Sequence, residues 1–267
     1  GAGDDVIDGG AGDDDITGGT GKDTMTGGAG DDEFIYALGS SEATNEKPDT
    51  ITDFTTGSDT INISLTVTQG ATYDFTNKGT AATASDSIAK LSSVKGQYLY
   101  NTTTNQILLD TDGNGLLQAG DLAITLTGTT ALNDADVKFA VTTVAGGGST
   151  VTTGNAGDMI TSHHAADVIS TGKGNDLVKL LEAGANTGNI AMGDGTDTLQ
   201  FTHASGGLNT GTISGVTNIL IDENKAAAIG DAQMTAFNGV SAFGISGVAG
   251  NLNESISLTL ANGSAQS

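Results

Sequence analysis

The chain has 267 residues, with 32 Asp plus Glu against 9 basic residues, all of them Lys, for a formal net charge of -23. A strongly negative potential excludes nucleic acid and anionic membrane as partners and makes cations the natural ones. No Cys is available for disulfides, no signal-peptide pattern opens the chain, and no uninterrupted apolar span reaches membrane length.

Residues 1–35 are a run of near-identical nine-residue units, GAGDDVID, GGAGDDDIT, GGTGKDTMT and GGAGDDEFI. Each keeps an Asp at one place (Asp5, Asp14, Asp23, Asp32) and an apolar residue two places on (Ile7, Ile16, Met25, Phe34). A flexible acidic linker would share the composition, but it has no reason to hold an apolar residue in register. The units at 9–17, 18–26 and 27–35 match G-G-x-G-x-D-x-U-x at every defined position. In this the chain resembles the RTX (repeats-in-toxin) proteins, and the first unit, lacking its opening glycine, suggests a piece of a longer array.

The resemblance implies a parallel β-roll in which two units make one coil. Aspartates two units apart then share a face, pairing Asp5 with Asp23 and Asp14 with Asp32. Several Ca²⁺ ions are implied, held by these carboxylates and by turn carbonyls at Gly3, Gly10, Gly12, Gly19, Gly21, Gly28 and Gly30, an all-oxygen set suited to a hard cation. It also implies export by a type I machine that reads a C-terminal signal. One buried apolar side chain per nine residues does not offset the entropy of ordering them. Aligned carboxylates add repulsion until a cation lies between them, so this segment is expected to be disordered in chelator.

Residues 36–144 read as a β-rich cap and hairpin domain. Pro48 leads into DTITDFTTGSDTINI, which resembles the segment that follows the repeats in RTX proteins, including the C-terminal domain of serralysin-type proteases, where it closes the open end of the roll. Asp49, Asp53 and Asp59 there are either further ligands or solvated loop residues. Ile88, Leu91 and Val94 have helical spacing and predict a short helix within 81–95. Residues 110–121 fit D-x-D-x-N-G-x5-D, with Asp121 in place of the bidentate Glu of an EF-hand, yet the flanking ILL and AITL read as strands. The better match is an RTX-type hairpin turn followed by LNDADVKF. Asp110, Asp112 and Asn114 are either calcium ligands or side chains bonding their own turn.

Residues 145–152, containing AGGGST, read as a glycine-rich linker. Three more nonapeptides follow from Thr153 (TGNAGDMIT, SHHAADVIS, TGKGNDLVK), and MGDGTDTLQ resumes the frame after a twelve-residue insertion, Leu180 to Ala191. Residues 153–200 are therefore expected to form a second, degenerate β-roll with candidate ligands Asp158, Asp167, Asp176 and Asp197. Asp158 with Asp176 is the best pair; Asp167 with Asp197 depends on whether the insertion disturbs stacking. His163 and His164 are adjacent without a third ligand nearby, which favours turn residues over a transition-metal site. Residues 201–267 alternate strand-like pieces (NILID, AFGIS, ISLTL) with small-residue turns, loosely similar to bacterial surface-layer proteins and RTX adhesins, and fit either a β-helix or a β-sandwich.

The expected fold is all-β: a parallel β-roll with a β-sandwich or hairpin cap, a degenerate second roll and a β-rich tail. No Cys nucleophile, H-E-x-x-H, G-x-S-x-G or phosphate-loop motif is present, GISG at 244–247 is no nucleophile elbow, and the chain lacks Trp, so no enzyme is expected. Two functions fit. One is a calcium-binding structural module of a secreted surface protein, surface-layer or adhesin, partnered by calcium and by itself or a neighbouring surface protein or glycan. The other is the C-terminal folding and secretion domain of an exported protease, lipase or toxin. In a calcium titration, replacing Asp14 or Asp23 with Ala should remove strong sites and replacing Asp167 should change little; the opposite order would contradict this register.

Overall fold

The computed structural model describes residues 1–38, 47–83, 90–116, 120–181, 185–186, 188–202, 206–208, 211–222, 226–229, 244–247 and 255–258. They fall into two units, Gly1–Leu65 with Thr72–Ala140, and Thr66–Ala71 with Val141–Ser267.

In the first unit the nonapeptides stack with the period of two repeats. Val6–Ala11 pairs in parallel with Thr24–Ala29, and Asp15–Ile16 with Glu33–Ala37, each residue meeting the one eighteen further on. Strand side chains alternate faces, so the apolar position of every repeat points inward. Two internal columns result, Ile7–Met25–Ile51 and Ile16–Phe34–Ile61, because the ladders run on into Asp49–Ile51 and Thr60–Thr66. Met25, Phe34, Ile51 and Ile61 are buried, whereas Ile7, in the terminal coil, is only half-buried.

Asp49–Ile51 also carries the cap. It pairs in parallel with Leu122–Leu126, which forms an antiparallel hairpin with Gln106–Leu109; Tyr98–Asn101 and Asn77–Ala81 complete the sheet. Strands on both sides of residues 110–121 rule out the helices of an EF-hand. A cluster of rings fills the space beneath: Phe75 stacks on Phe139 at 4.8 Å and on Tyr73 at 5.6 Å, and Tyr98 tilts onto Phe139 at 5.6 Å. The LNDADVKF segment forms a 3-10 turn, Asp134–Asp136, then enters the strand Val137–Thr142. Buried Asp136 ties that turn to the loop at Gly57, accepting the Asn133 amide at 2.7 Å and the Gly57 amide at 2.9 Å. Of the helix expected over 81–95, residues 84–89 lie outside the described residues. Lys90 is helical, and after it Leu91 packs with Ala81, Leu99, Leu108 and Ala123 while Lys95 bridges to Tyr73, so the chain over 91–95 is bent and no longer helical.

The second unit is also built of parallel ladders. One runs through Thr150–Thr152, Val168–Ser170, Ile190–Ala191 and Ile213–Ser214. Another joins Met159–Ser162, Leu177–Leu180, Asp197–Phe201, Val216–Ile221 and Gly244–Gly247. Val151, Ile169, Ile190 and Ile213 form one buried column, and Ile160, Val178, Leu199 and Ile219 the other. The insertion at 180–191 leaves the stacking intact. It lengthens the coil and supplies two strands, Ala185–Asn186 and Ile190–Ala191; the former opens a third parallel ladder through Gly206–Leu208, Ala226–Ile229 and Ser255–Leu258. The described part of the tail thus extends the parallel array, as a β-helix does, and GISG is one of its strands.

Residues 145–152 include the strand Thr150–Thr152, and Val151 is fully buried opposite Ile169. VAGGGSTVT is a further nonapeptide in frame, with Ser149 where the others have Asp. Residues 66–71 close the start of this unit: Val67 is buried and its amide donates to Thr142 at 2.9 Å, while the Thr150 amide donates to Ala71 at 2.9 Å. Column position predicts a graded response. Phe34→Ala should cost roughly 3–5 kcal/mol and Ile7→Ala well under half of that, measured by guanidinium unfolding in excess calcium.

Candidate metal centre

Each repeat of the first roll turns on glycines whose backbone an L side chain rarely adopts. Gly3, Gly10, Gly12, Gly19, Gly21, Gly28 and Gly30 have φ of 106°, 103°, 110°, 106°, 133°, 107° and 147°. Those of the second coil also lie against the first, where a Cβ on Gly19, Gly21, Gly28 or Gly30 would strike the carbonyl of Gly1, Gly3, Gly10 or Gly12. These turns bring the aspartates of successive coils into line.

The alignment is carried by hydrogen bonds. The Asp5 amide donates to Asp23 Oδ1 at 2.8 Å, and the Asp14 amide to Asp32 Oδ1 at 3.0 Å. The columns then pass into the cap: the Asp23 amide donates to Asp49 Oδ1 at 2.7 Å and the Asp32 amide to Asp59 Oδ1 at 3.1 Å. Asp53 plays a different part, accepting the Gly27 and Gly28 amides at 2.9 Å each and so anchoring a turn. In Asp23 one oxygen is spent on the neighbouring coil and the other is left over. Oδ2 of Asp14 and of Asp23 is buried and has no hydrogen-bond partner. It faces the glycine that opens its own repeat, where a Cβ at Gly9 would lie 2.8 Å from Asp14 Oδ2 and one at Gly18 would collide with Asp23 Oδ2.

The second unit repeats the arrangement along one column. The Asp158 amide donates to Asp176 Oδ1 at 2.8 Å, and the Asp176 amide to Asp197 Oδ1 at 2.9 Å, across a step of 21 residues that absorbs the insertion. Oδ2 of Asp176 and of Asp197 is again buried with no donor at hydrogen-bond distance, although the Thr171 hydroxyl lies close enough to Asp176 to lower its carboxyl. Asp197 therefore stacks on Asp176 and not on Asp167, which lies on the other ladder with hydroxyl partners of its own. His164 accepts the Ala166 amide on Nδ1 at 3.2 Å, as a turn residue does. Burial pushes the Asp176 carboxyl up to about 6, aided by the charge of Asp197, and burial likewise raises Asp197, with Asp194 adding to it.

The hairpin turn gathers a third group. One carboxylate oxygen each from Asp110, Asp112 and Asp121 lie within 4.8 Å of one another. Their hydrogen bonds are local: Asp110 accepts the Gly113 and Gly115 amides at 2.7 Å, Asp112 accepts the Asn114 amide at 3.0 Å, and Asp121 accepts the Thr111 amide at 3.0 Å. Asn114 Oδ1 accepts the Leu116 amide at 2.7 Å. Burial raises the Asp110 carboxyl against the lowering effect of its two amides, with Asp112 and Asp121 adding to the rise. Turn hydrogen bonds hold these side chains with their carboxylates close enough together to share a cation, and the columns contain buried oxygens that the protein leaves unsatisfied. A buried carboxylate oxygen without a donor calls for a cation. Stacked carboxylates, an oxygen donor set, fit calcium.

Parallel coils with an inward apolar column and aligned buried aspartates define a β-roll. Residues 4–139, just over half of the chain, match the family described as Peptidase M10 serralysin C terminal, and the chain belongs to that family of RTX-type calcium-binding, non-catalytic modules of secreted proteins. No curated protein and no solved structure matches the chain. Among the described residues no helix is long and apolar enough to cross a membrane.

The raised Asp176 carboxyl has a definite sign. Its contribution to stability is fully present below the ordinary pKa of 3.8 and is lost as pH rises through about 6. In metal-free buffer the second unit should therefore melt at a higher temperature at pH 5 than at pH 7, and Asp176→Asn should reduce that gain. Scanning calorimetry of wild type and variant checks both.

Proposed function

We propose that this chain is a non-catalytic, calcium-binding structural module of a secreted bacterial surface protein, of the surface-layer or adhesin type. It folds and stiffens outside the cell as calcium fills the aspartate columns. The observation that carries the reading is the set of buried, unsatisfied Oδ2 atoms on Asp14, Asp23, Asp176 and Asp197. Asp5, Asp14, Asp23 and Asp32, with the turn carbonyls of their glycines, hold the ions of the first roll; Asp158, Asp176 and Asp197 hold those of the second. When bound, the ion neutralises stacked carboxylates and joins successive coils, making metal affinity part of the folding free energy. Inside a cell, where calcium is scarce, the same columns repel and the chain stays export-competent.

The surface-protein reading is supported by the second parallel array, which extends through Ser255–Leu258, far beyond the family match ending at 139. Self-association or contact with a neighbouring surface protein or glycan would follow from such a role. A second reading, the C-terminal folding and secretion domain of an exported protease, lipase or toxin, is supported by the family itself. Two measurements on the full-length protein separate them. Circular dichroism should show β-structure appearing on calcium addition to chelated protein, and no change would sink the calcium reading. Electron microscopy in calcium should show ordered sheets or filaments; monodisperse particles with hydrolytic activity would favour the secretion domain.

A further inference from the structure

Asp167 is fully buried, yet neither of its oxygens is left over. Oδ1 accepts the Ser149 amide at 2.8 Å, the contact that an aspartate makes with the preceding coil throughout these columns. Oδ2 accepts two hydroxyls, Thr143 Oγ1 at 2.6 Å and Ser162 Oγ at 2.7 Å. Thr143 is held in turn by the His163 amide, which donates to its oxygen at 2.8 Å. Thr143, Ser149 and Ser162 are all buried.

Ser162 and Thr143 together make the difference. In the first roll the residue five places before the aspartate is Gly9, Gly18 or Gly27, and a Cβ there would press on Oδ2 of Asp14, Asp23 or Asp32. Before Asp167 that residue is Ser162, whose side chain occupies the space and supplies a donor to Oδ2. The neighbours along the column are also uncharged. Ser149 stands eighteen residues earlier, and Gly188 follows, as fixed by the pairing of Ile169 with Ile190. A single carboxylate with three donors is satisfied by charge-assisted hydrogen bonds alone.

We propose that Thr143 and Ser162 form a hydroxyl lock on Asp167 that replaces the cation at this position, so that the opening coil of the second unit keeps its shape without calcium. That coil is a standing template on which the calcium-bound coils stack. The contrast with the first roll rests on the calcium reading above, but the lock itself rests on its own hydrogen bonds.

Hydrogen exchange of the full chain, read by mass spectrometry in chelator and in excess calcium, tests this. The Val168 and Ile169 amides, which donate to Ser149 and Asn189, should stay protected in chelator, whereas those of Thr24 and Glu33, which donate to Asp5 and Asp14, should be protected only with calcium. In chelator, Ser162→Gly should speed exchange at Val168 and Ile169 roughly ten- to hundredfold. Ser162→Thr should preserve protection, since it keeps a hydroxyl donor at this position. Wild-type amides at Val168 and Ile169 that exchange in chelator as fast as unfolded chain would overturn the proposal, and so would a folded Ser162→Gly protein that matches wild type. Should Ser162→Gly not fold, the wild-type comparison in chelator decides by itself. If calcium leaves Thr24 and Glu33 unchanged while Ser162→Gly still accelerates exchange, the calcium reading fails and the lock stands.

Discussion

Successive coils of this protein meet through a buried carboxylate. Along each column one oxygen of an aspartate accepts the backbone amide of the aspartate one coil earlier, as Asp23 does for Asp5 and Asp197 for Asp176, and in the first roll the other turns toward the glycine that opens its own repeat. A buried charge used in this way must be compensated, and the compensation chosen determines what the neighbouring residues can be. In the first roll the opening residue is glycine, and a Cβ there would press on Oδ2. Where protein groups compensate it, the opening residue can carry a hydroxyl. The net charge of -23 follows from stacking this device many times with few lysines to balance it.

The two units apply the constraint differently. In the first, Gly9, Gly18 and Gly27 keep the space beside Asp14, Asp23 and Asp32 open, and one apolar residue per repeat is too little core to hold the coils against carboxylate repulsion. The hairpin sheet on Asp49–Ile51 and the ring cluster around Phe139 provide the additional burial, and they cover an edge that would otherwise expose unpaired strand groups. In the second unit Thr153, Ser162, Thr171 and Met192 stand at the opening position. The coil that carries the insertion is longer, a third ladder appears, and the columns from Val151 to Ile213 and from Ile160 to Ile219 are buried throughout. At Asp167 alone among the described aspartates of that unit's ladders, the side chain that replaces the glycine donates to the carboxylate.

Much of this was written in the chain as period. Because a nonapeptide contributes half a coil, the residue that stacks on any position lies two repeats away, and the pairings of Asp5 with Asp23, Asp14 with Asp32 and Asp158 with Asp176 could be read off before any coordinates. The hairpin at 110–121 was legible too, from strand-forming residues on both sides of a glycine turn. The sequence by itself also determined which side chains point inward, since apolar residues recur two places after each aspartate and strand faces alternate.

Other features depended on distance in space and were hidden. AGGGST looks like a linker by composition, yet Val151 and Ser149 keep the nonapeptide frame, a match obscured because serine replaces the aspartate and glycines dominate the rest. Asp49 and Asp59 extend the columns only because the strands behind them continue the ladders, at separations of 26 and 27 residues that no fixed repeat announces. The partner of Asp197 turned on the insertion at 180–191: counting repeats suggests Asp167, whereas a longer coil carries Asp197 over Asp176. Residues 66–71 belong with the second unit although chain of the first surrounds them on both sides. Local sequence specifies the turn, the strand and the inward face, because these depend on backbone conformation within a few residues. Coil length, and with it the choice of stacking partner, is decided only when the strands pair, because backbone hydrogen bonds between coils accept any loop that lets the apolar columns and buried carboxylates come into line.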